Sequence, residues 1–108
     1  MPQQITEAQE AELLQAAKNA AEQLQKAYQI AFSGAAGEAV LADLGKFCRM
    51  EKSTWSEDQR HHARLEGRRE VGLHIQDYRK LPLTDLFQRL VGDSYTVVNI
   101  DPEDLDND

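Results

Sequence analysis

The sequence predicts an all-α fold: a long N-terminal Ala-rich helix, a small three-helix bundle, and an extended acidic C-terminal tail. Three observations carry this. Apolar residues recur at spacings of three and four as far as Leu90, the period of a helix with one buried face. The breaks between these runs hold Gly, Pro and capping residues, where helices stop and start. Past Gly92 the periodicity ends and the chain turns β-branched, then acidic. The resulting division is a long helix over 1–32, a compact helical body over 33–92 and a tail over 93–108.

Thr6 is the expected N-cap of the first helix, with Gln9 as its capping-box partner. Glu7 and Glu10 fall in the first turn, where negative charge suits the helix dipole. Nothing breaks the helix before Phe32, and about 26 residues at ~1.5 Å rise give a rod of roughly 39 Å. Leu13, Ala17, Ala20, Leu24, Ala27 and Ala31 alternate at four and three, the spacing of a coiled-coil-like seam. Leu14, Ala21 and Tyr28 lie beside it. Alanine lets backbones approach closely but buries little area, so each contact on the seam is weak alone. The seam serves either packing within the chain or projection of the N-terminal half onto a neighbouring subunit.

Ser33-Gly34 and Gly37 end the rod and permit a tight corner. A second helix runs to about Arg49, with Val40, Leu41, Leu44, Phe47 and Cys48 on one apolar face. Met50 to Trp55 is a polar connection, and Ser56 with Gln59 forms a capping pattern for a third helix reaching Lys80. Pro82 stops that helix and opens a fourth, with Leu83, Leu86, Phe87 and Leu90 inward and Gly92 at its close. The segment Tyr95-Thr96-Val97-Val98-Asn99-Ile100 has strand character but no sheet to join. It lies across its own helices or docks on a partner, as an added strand for example.

Composition narrows the function. At 108 residues and 6% aromatics the chain is one small domain with a modest core, of the kind that completes its core by oligomerising. A single Cys forms no internal disulfide. No apolar run approaches the ~20 residues of a membrane span, and Met-Pro-Gln-Gln-Ile-Thr has no leader pattern. The expected setting is cytoplasm, or a particle assembled there. The net charge is −7, yet Asp93, Asp101, Glu103, Asp104, Asp106 and Asp108 stand in a tail with no basic residue. The rest holds 13 acidic against 12 basic residues, nearly neutral.

Arg60, Arg64 and Arg68 are spaced four apart and line one side of the third helix, a stripe that Val71, Ile75 and Tyr78 continue. Arginines on a core-facing side need carboxylates, and Glu38, Asp43 or Glu66 would supply them internally, with Gly67 admitting a close helix crossing. Alternatively the arginines form a basic rim that meets a neighbour's acidic tail or another anionic surface. Sequence-specific nucleic-acid binding is not expected: residues 49–80 hold eight basic and six acidic residues, far from the basic excess such binding shows. His61, His62, His74 and Cys48 lack converging metal-ligand spacing, and Cys48 reads as a small buried hydrophobe. No phosphate loop or nucleophile elbow is written here. Neither metal, cofactor nor catalysis is expected.

Phe32, the V-L-A-D-L run from Val40, Phe47-Cys48-Arg49, the E-G-R-R-E-V block from Glu66 to Val71, and Ile75 together resemble the small virion proteins named after a protein of a Bordetella short-tailed phage. The resemblance spans a little under half of the chain, from Phe32 to Tyr78. It implies a particle component rather than an enzyme, encoded in morphogenesis clusters near the portal gene. The expectation is therefore a multicopy structural protein at or near the portal and head-to-tail connection, in the virion and, during assembly, in the host cytoplasm. Its expected partners are the portal or neighbouring subunits, its own copies included, through Leu13, Ala17, Ala20 and Leu24, through Arg60, Arg64 and Arg68, and through Tyr95, Val97, Val98 and Ile100. The alternative is an internal DNA-packaging or ejection accessory.

Overall fold

A computed structural model describes residues 6–92 and 100–105. The described residues form four α-helices, α1 (Glu7–Ala31), α2 (Gly34–Phe47), α3 (Gln59–Lys80) and α4 (Leu83–Gly92), and one 3-10 turn, Pro102–Leu105. No strand occurs among them, so the all-α expectation holds. They fall into two compact units: Tyr28–Leu81, and the described residues before and after it. The division cuts α1 near its end.

The start of α1 is the capping box read from the sequence. Gln9 donates its backbone N–H to Thr6 Oγ1 at 3.1 Å, and Thr6 donates its own to Gln9 Oε1 at 2.9 Å. From Thr6 to Asn19 the helix is exposed throughout, with Leu13 at 61% and Leu14 at 49%. Burial begins at Ala20 and Ala21, and the covered line runs Ala21, Leu24, Tyr28 and Phe32. Relative to the expected seam, Ala17 and Ala31 are exposed and Ala21 is the fully buried position. In the unit that holds most of α1, Leu86 and Leu90 of α4 are also buried, and the Lys18 ammonium stands 5.7 Å from the Phe87 ring centre. The inward face expected for α4 is the one observed.

In the unit Tyr28–Leu81, the corner into α2 is built from glycine. Gly34 has φ +71°, a conformation that costs L-residues with a Cβ. A Cβ on Gly37 would stand 2.4 Å from the Phe32 carbonyl carbon, so only glycine allows this approach. On α2, Leu41 and Leu44 are half-buried and Cys48 is buried, whereas Val40 and Phe47 stay more than half exposed. The apolar face is therefore covered along one side only. At the far end of the unit, Tyr28 stacks on Tyr78 at 4.5 Å and 14°. His74 meets both rings edge-on, at 6.0 and 5.0 Å. Gln29 donates its side-chain N–H to the Arg79 carbonyl, so the last turn of α1 is held against α3 by rings and one polar contact.

Two boundaries differ in detail from the expectation. The N-cap of α3 is Asp58, whose carboxylate accepts from the N–H groups of Arg60 and His61 at 3.0 and 3.3 Å. Ser56 instead accepts from the Asp58 N–H, one step earlier in the turn. An ionised carboxylate at this position also answers the helix dipole, which favours it over the hydroxyl two residues before. The described part of the acidic tail is not extended: Asp101 accepts from the Glu103 N–H through its side chain and from Asp104 through its carbonyl, which winds Pro102–Leu105 into a turn.

Candidate functional site

The residues of the sequence signature meet where α2 ends and α3 passes it. Gly45, Lys46, Phe47 and Cys48 close α2 with Arg49 in the left-handed region at φ 56°. Met50 N–H bonds back to Gly45 O at 3.0 Å and Arg49 N–H to Lys46 O at 3.1 Å, a Schellman ending with arginine where glycine is usual. The carbonyls that this turn points outward are taken by α3: Arg69 Nη1 donates to Arg49 O at 2.9 Å and, more loosely, to Met50 O at 3.4 Å. Next to Arg69 in the chain, the Arg68 guanidinium lies over the Phe47 ring at 4.2 Å.

The link that follows is fastened by the same helix. Thr54 is buried and donates its hydroxyl to Glu66, while its carbonyl faces His62 Nδ1 at 2.9 Å. Gly72 supplies the close approach: a Cβ there would stand 2.5 Å from Met50 Sδ and 2.8 Å from Cys48 Cβ. Gly67, the expected crossing point, would carry its Cβ into open space. The carboxylate clamp expected for Arg68 is likewise replaced by the Phe47 ring, and Glu66 turns to Thr54. The F-C-R and E-G-R-R-E-V segments are thus two halves of one fastening.

The sequence-predicted contact residues belong to different elements. Leu13 and Ala17 are exposed on α1, with Ala20 and Leu24 half-buried further along. Arg60 and Arg64 are exposed on α3, and Arg68 is half-buried against Phe47. As far as Gly72 the inward line of α3 runs through buried Leu65 and the half-buried His62, Arg69 and Gly72, and Arg60 and Arg64 stand to one side of it. Ile100 is half-buried; Tyr95, Val97 and Val98 lie outside the described residues.

A groove of about 690 Å³ between α2 and α3 is the feature that sequence reading missed. Leu41, Leu44, Met50 and Ile75 give it an apolar floor. Lys46, Arg49, Lys52, Arg79 and Lys80 supply positive charge around it, against Glu38 and Glu51. Its signal was present as basic residues clustered at the ends of two helices, which the sequence presents as ordinary dipole complements. Trp55, on the link, is 70% exposed. Among the described residues, no three His, Cys, Asp or Glu side chains gather to hold a metal ion, and no helix is long and apolar enough to cross a membrane.

Fold and site together define a small all-α protein whose signature residues fasten its own helices and whose charged and apolar surfaces lie outward. The chain belongs to the family of Bbp19-like phage proteins, whose description matches residues 28–104. That match covers the whole unit Tyr28–Leu81 and continues through α4 into the 3-10 turn. No curated protein and no solved structure matches the chain.

Proposed function

We propose that the protein is a non-enzymatic, multicopy structural component of a tailed-phage particle. In this reading it is built in at or near the portal and head-to-tail connection and acts by protein–protein assembly. The observation that carries this is incomplete burial. Among the described residues six apolar side chains are buried, while nine large ones stay exposed, from Leu13 to Val91. Scattered exposed apolar groups are ordinary on a monomer. Here they outnumber the core, and they include an aromatic ring (Trp55) and whole turns of α1, which suits a chain that finishes burial against neighbours. Within the signature, Arg69 and Glu66 direct their polar atoms to the chain's own carbonyls and to the Thr54 hydroxyl, which supports a role without chemistry. Exposed Arg60 and Arg64 and the acidic C-terminal end supply opposite charges that would set register between subunits.

The test is location. In purified, DNA-filled particles the protein is expected to be present by mass spectrometry and to occupy the portal vertex in an asymmetric cryo-EM reconstruction. Its absence from DNA-filled particles would remove the structural reading. A DNA titration at two salt concentrations addresses the accessory alternative, which requires micromolar binding that collapses with salt.

A further inference from the structure

We infer that the groove between α2 and α3 receives the first turns of α1, residues 7–17, from a second copy of this chain. The inference rests on the reading of the protein as an assembling component and names one contact of that assembly. The receiving side lies wholly within Tyr28–Leu81. Leu41, Leu44, Met50 and Ile75 floor it, and its rim carries five basic against two acidic residues. An apolar groove of this kind takes an amphipathic helix through anchors at spacings of three, four and seven. The positive surplus of three asks that helix to bring carboxylates beside its anchors. A nucleic-acid backbone fits poorly, since it has no apolar groups to lay on that floor and would meet Glu38 and Glu51.

Residues 7–17 make such a helix. Glu10, Leu13, Leu14 and Ala17 stand at i, i+3, i+4 and i+7, with Glu7 one turn earlier, so they share one side. No basic residue occurs from Glu7 to Ala17. The same side of α1 is covered further along: Leu14 stands seven residues before buried Ala21, and Ala17 seven before half-buried Leu24. Seven residues make close to two turns, so a face covered from Ala21 onward runs open over 7–17. Every residue of that stretch is exposed in the single chain, Leu13 to 61% and Leu14 to 49%, so its cover comes from outside that chain. The capping box of Thr6 and Gln9 already closes the helix start, and a preformed ligand loses less freedom on binding than an unstructured one. The acidic C-terminal end offers weaker anchors, since Ile100 and Leu105 are half-buried and Asp104 already has a partner. Strip and groove are different surfaces, so the contact is head-to-tail, and copies close into a ring or run on as a filament.

The experiment is sedimentation velocity of full chains over a range of concentrations. Glu7→Lys with Glu10→Lys reverses the helix strip, and Lys46→Glu with Lys52→Glu reverses the rim; all four side chains are exposed. Each variant alone is expected to need a concentration on the order of tenfold higher to associate. An equimolar mixture of the two should associate within about threefold of the unaltered chain, because each offers the other its complement. Recovery on mixing requires that both variants are folded. Glu12→Lys makes the same charge change on the opposite side of α1 and is expected to stay within about twofold. A mixture that stays dissociated, or a groove variant that associates normally, overturns the groove as receiver. Urea midpoints that fall in both variants with association unmoved put the strip in its own chain's groove and overturn the second copy. Asp101→Asn with Glu103→Gln reproducing the groove variant's loss, with the helix variant unmoved, gives the groove to the C-terminal end and overturns α1 as occupant. An unaltered chain that stays monomeric at every concentration, yet occupies the portal vertex of DNA-filled particles, overturns the inference and leaves the proposed function standing.

Discussion

The third helix carries two glycines, Gly67 and Gly72, whose missing side chains mean opposite things. At Gly72 a methyl would meet Cys48 Cβ, which is fixed to the backbone, as well as the more yielding Met50 sulfur. Gly72→Ala is therefore expected to cost about 1–3 kcal/mol, the range for overpacking a formed contact. At Gly67 a methyl meets nothing within 4 Å, so Gly67→Ala gains helix propensity and should stabilise by about 0.5–1 kcal/mol. Urea denaturation of the two variants checks both signs at once; equal effects would dissolve the distinction. Arg69 is the second lever. Its guanidinium reaches the carbonyls of Arg49 and Met50, and Arg69→Ala should cost about 1.5–3 kcal/mol, as for a charge-assisted bond to backbone. Lysine, with a point charge in place of a planar fork, should recover only part of this. That the E-G-R-R-E-V block binds helices together was legible in its composition. Which glycine makes the approach was not, because spacing on one helix does not say where the preceding turn will lie.

The helices themselves were readable because their signals are local. The Thr6–Gln9 capping box, the glycine corner at Gly34 and Gly37, and the Pro82 break each act within a few residues, and each stands where expected. Faces were harder. On α1 the covered line falls on Ala21, Leu24 and Tyr28, chosen in part by the stacking of Tyr28 on Tyr78, a partner fifty positions away. Apolar spacing alone favours the neighbouring alanines equally well. On α3 the long arginine stripe reads as core-facing, yet Leu65 and Gly72 turn inward and leave Arg60 and Arg64 in solvent, where long charged side chains need no partner. The start of α3 gives a direct test of its assigned cap. Asp58→Ala should destabilise by about 1 kcal/mol through loss of the bonds to the Arg60 and His61 amides. Ser56→Ala removes only the acceptor for one turn amide and should cost clearly less in the same thermal melt. A reversed order would move the cap back to Ser56.

At the level of the whole molecule, the ring–ring contacts and the close glycine approaches among the described residues lie inside Tyr28–Leu81, while the first turns of α1 are exposed. A helix in that condition draws little from tertiary packing and rests on its cap and its alanines, which is marginal support for isolated helical turns in water. Leu13 and Leu14 are exposed on it to 61% and 49%. Leucine at adjacent positions, both largely exposed, contributes little to the stability of the single chain and presents apolar area to any second surface. Replacing both, Leu13→Glu with Leu14→Glu, is therefore expected to leave the urea midpoint of the monomer within the equivalent of about 0.5 kcal/mol, as for surface changes generally. The same variant should dissociate the assembled form at least tenfold more readily in sedimentation velocity. If the leucines instead complete the chain's own core, the two measurements exchange places: stability falls by about 2–5 kcal/mol, as for lost core leucines, and association is unmoved. Because one experiment reads the folded chain and the other its neighbours, the pair decides whether the rod of α1 ends in solvent or in another subunit.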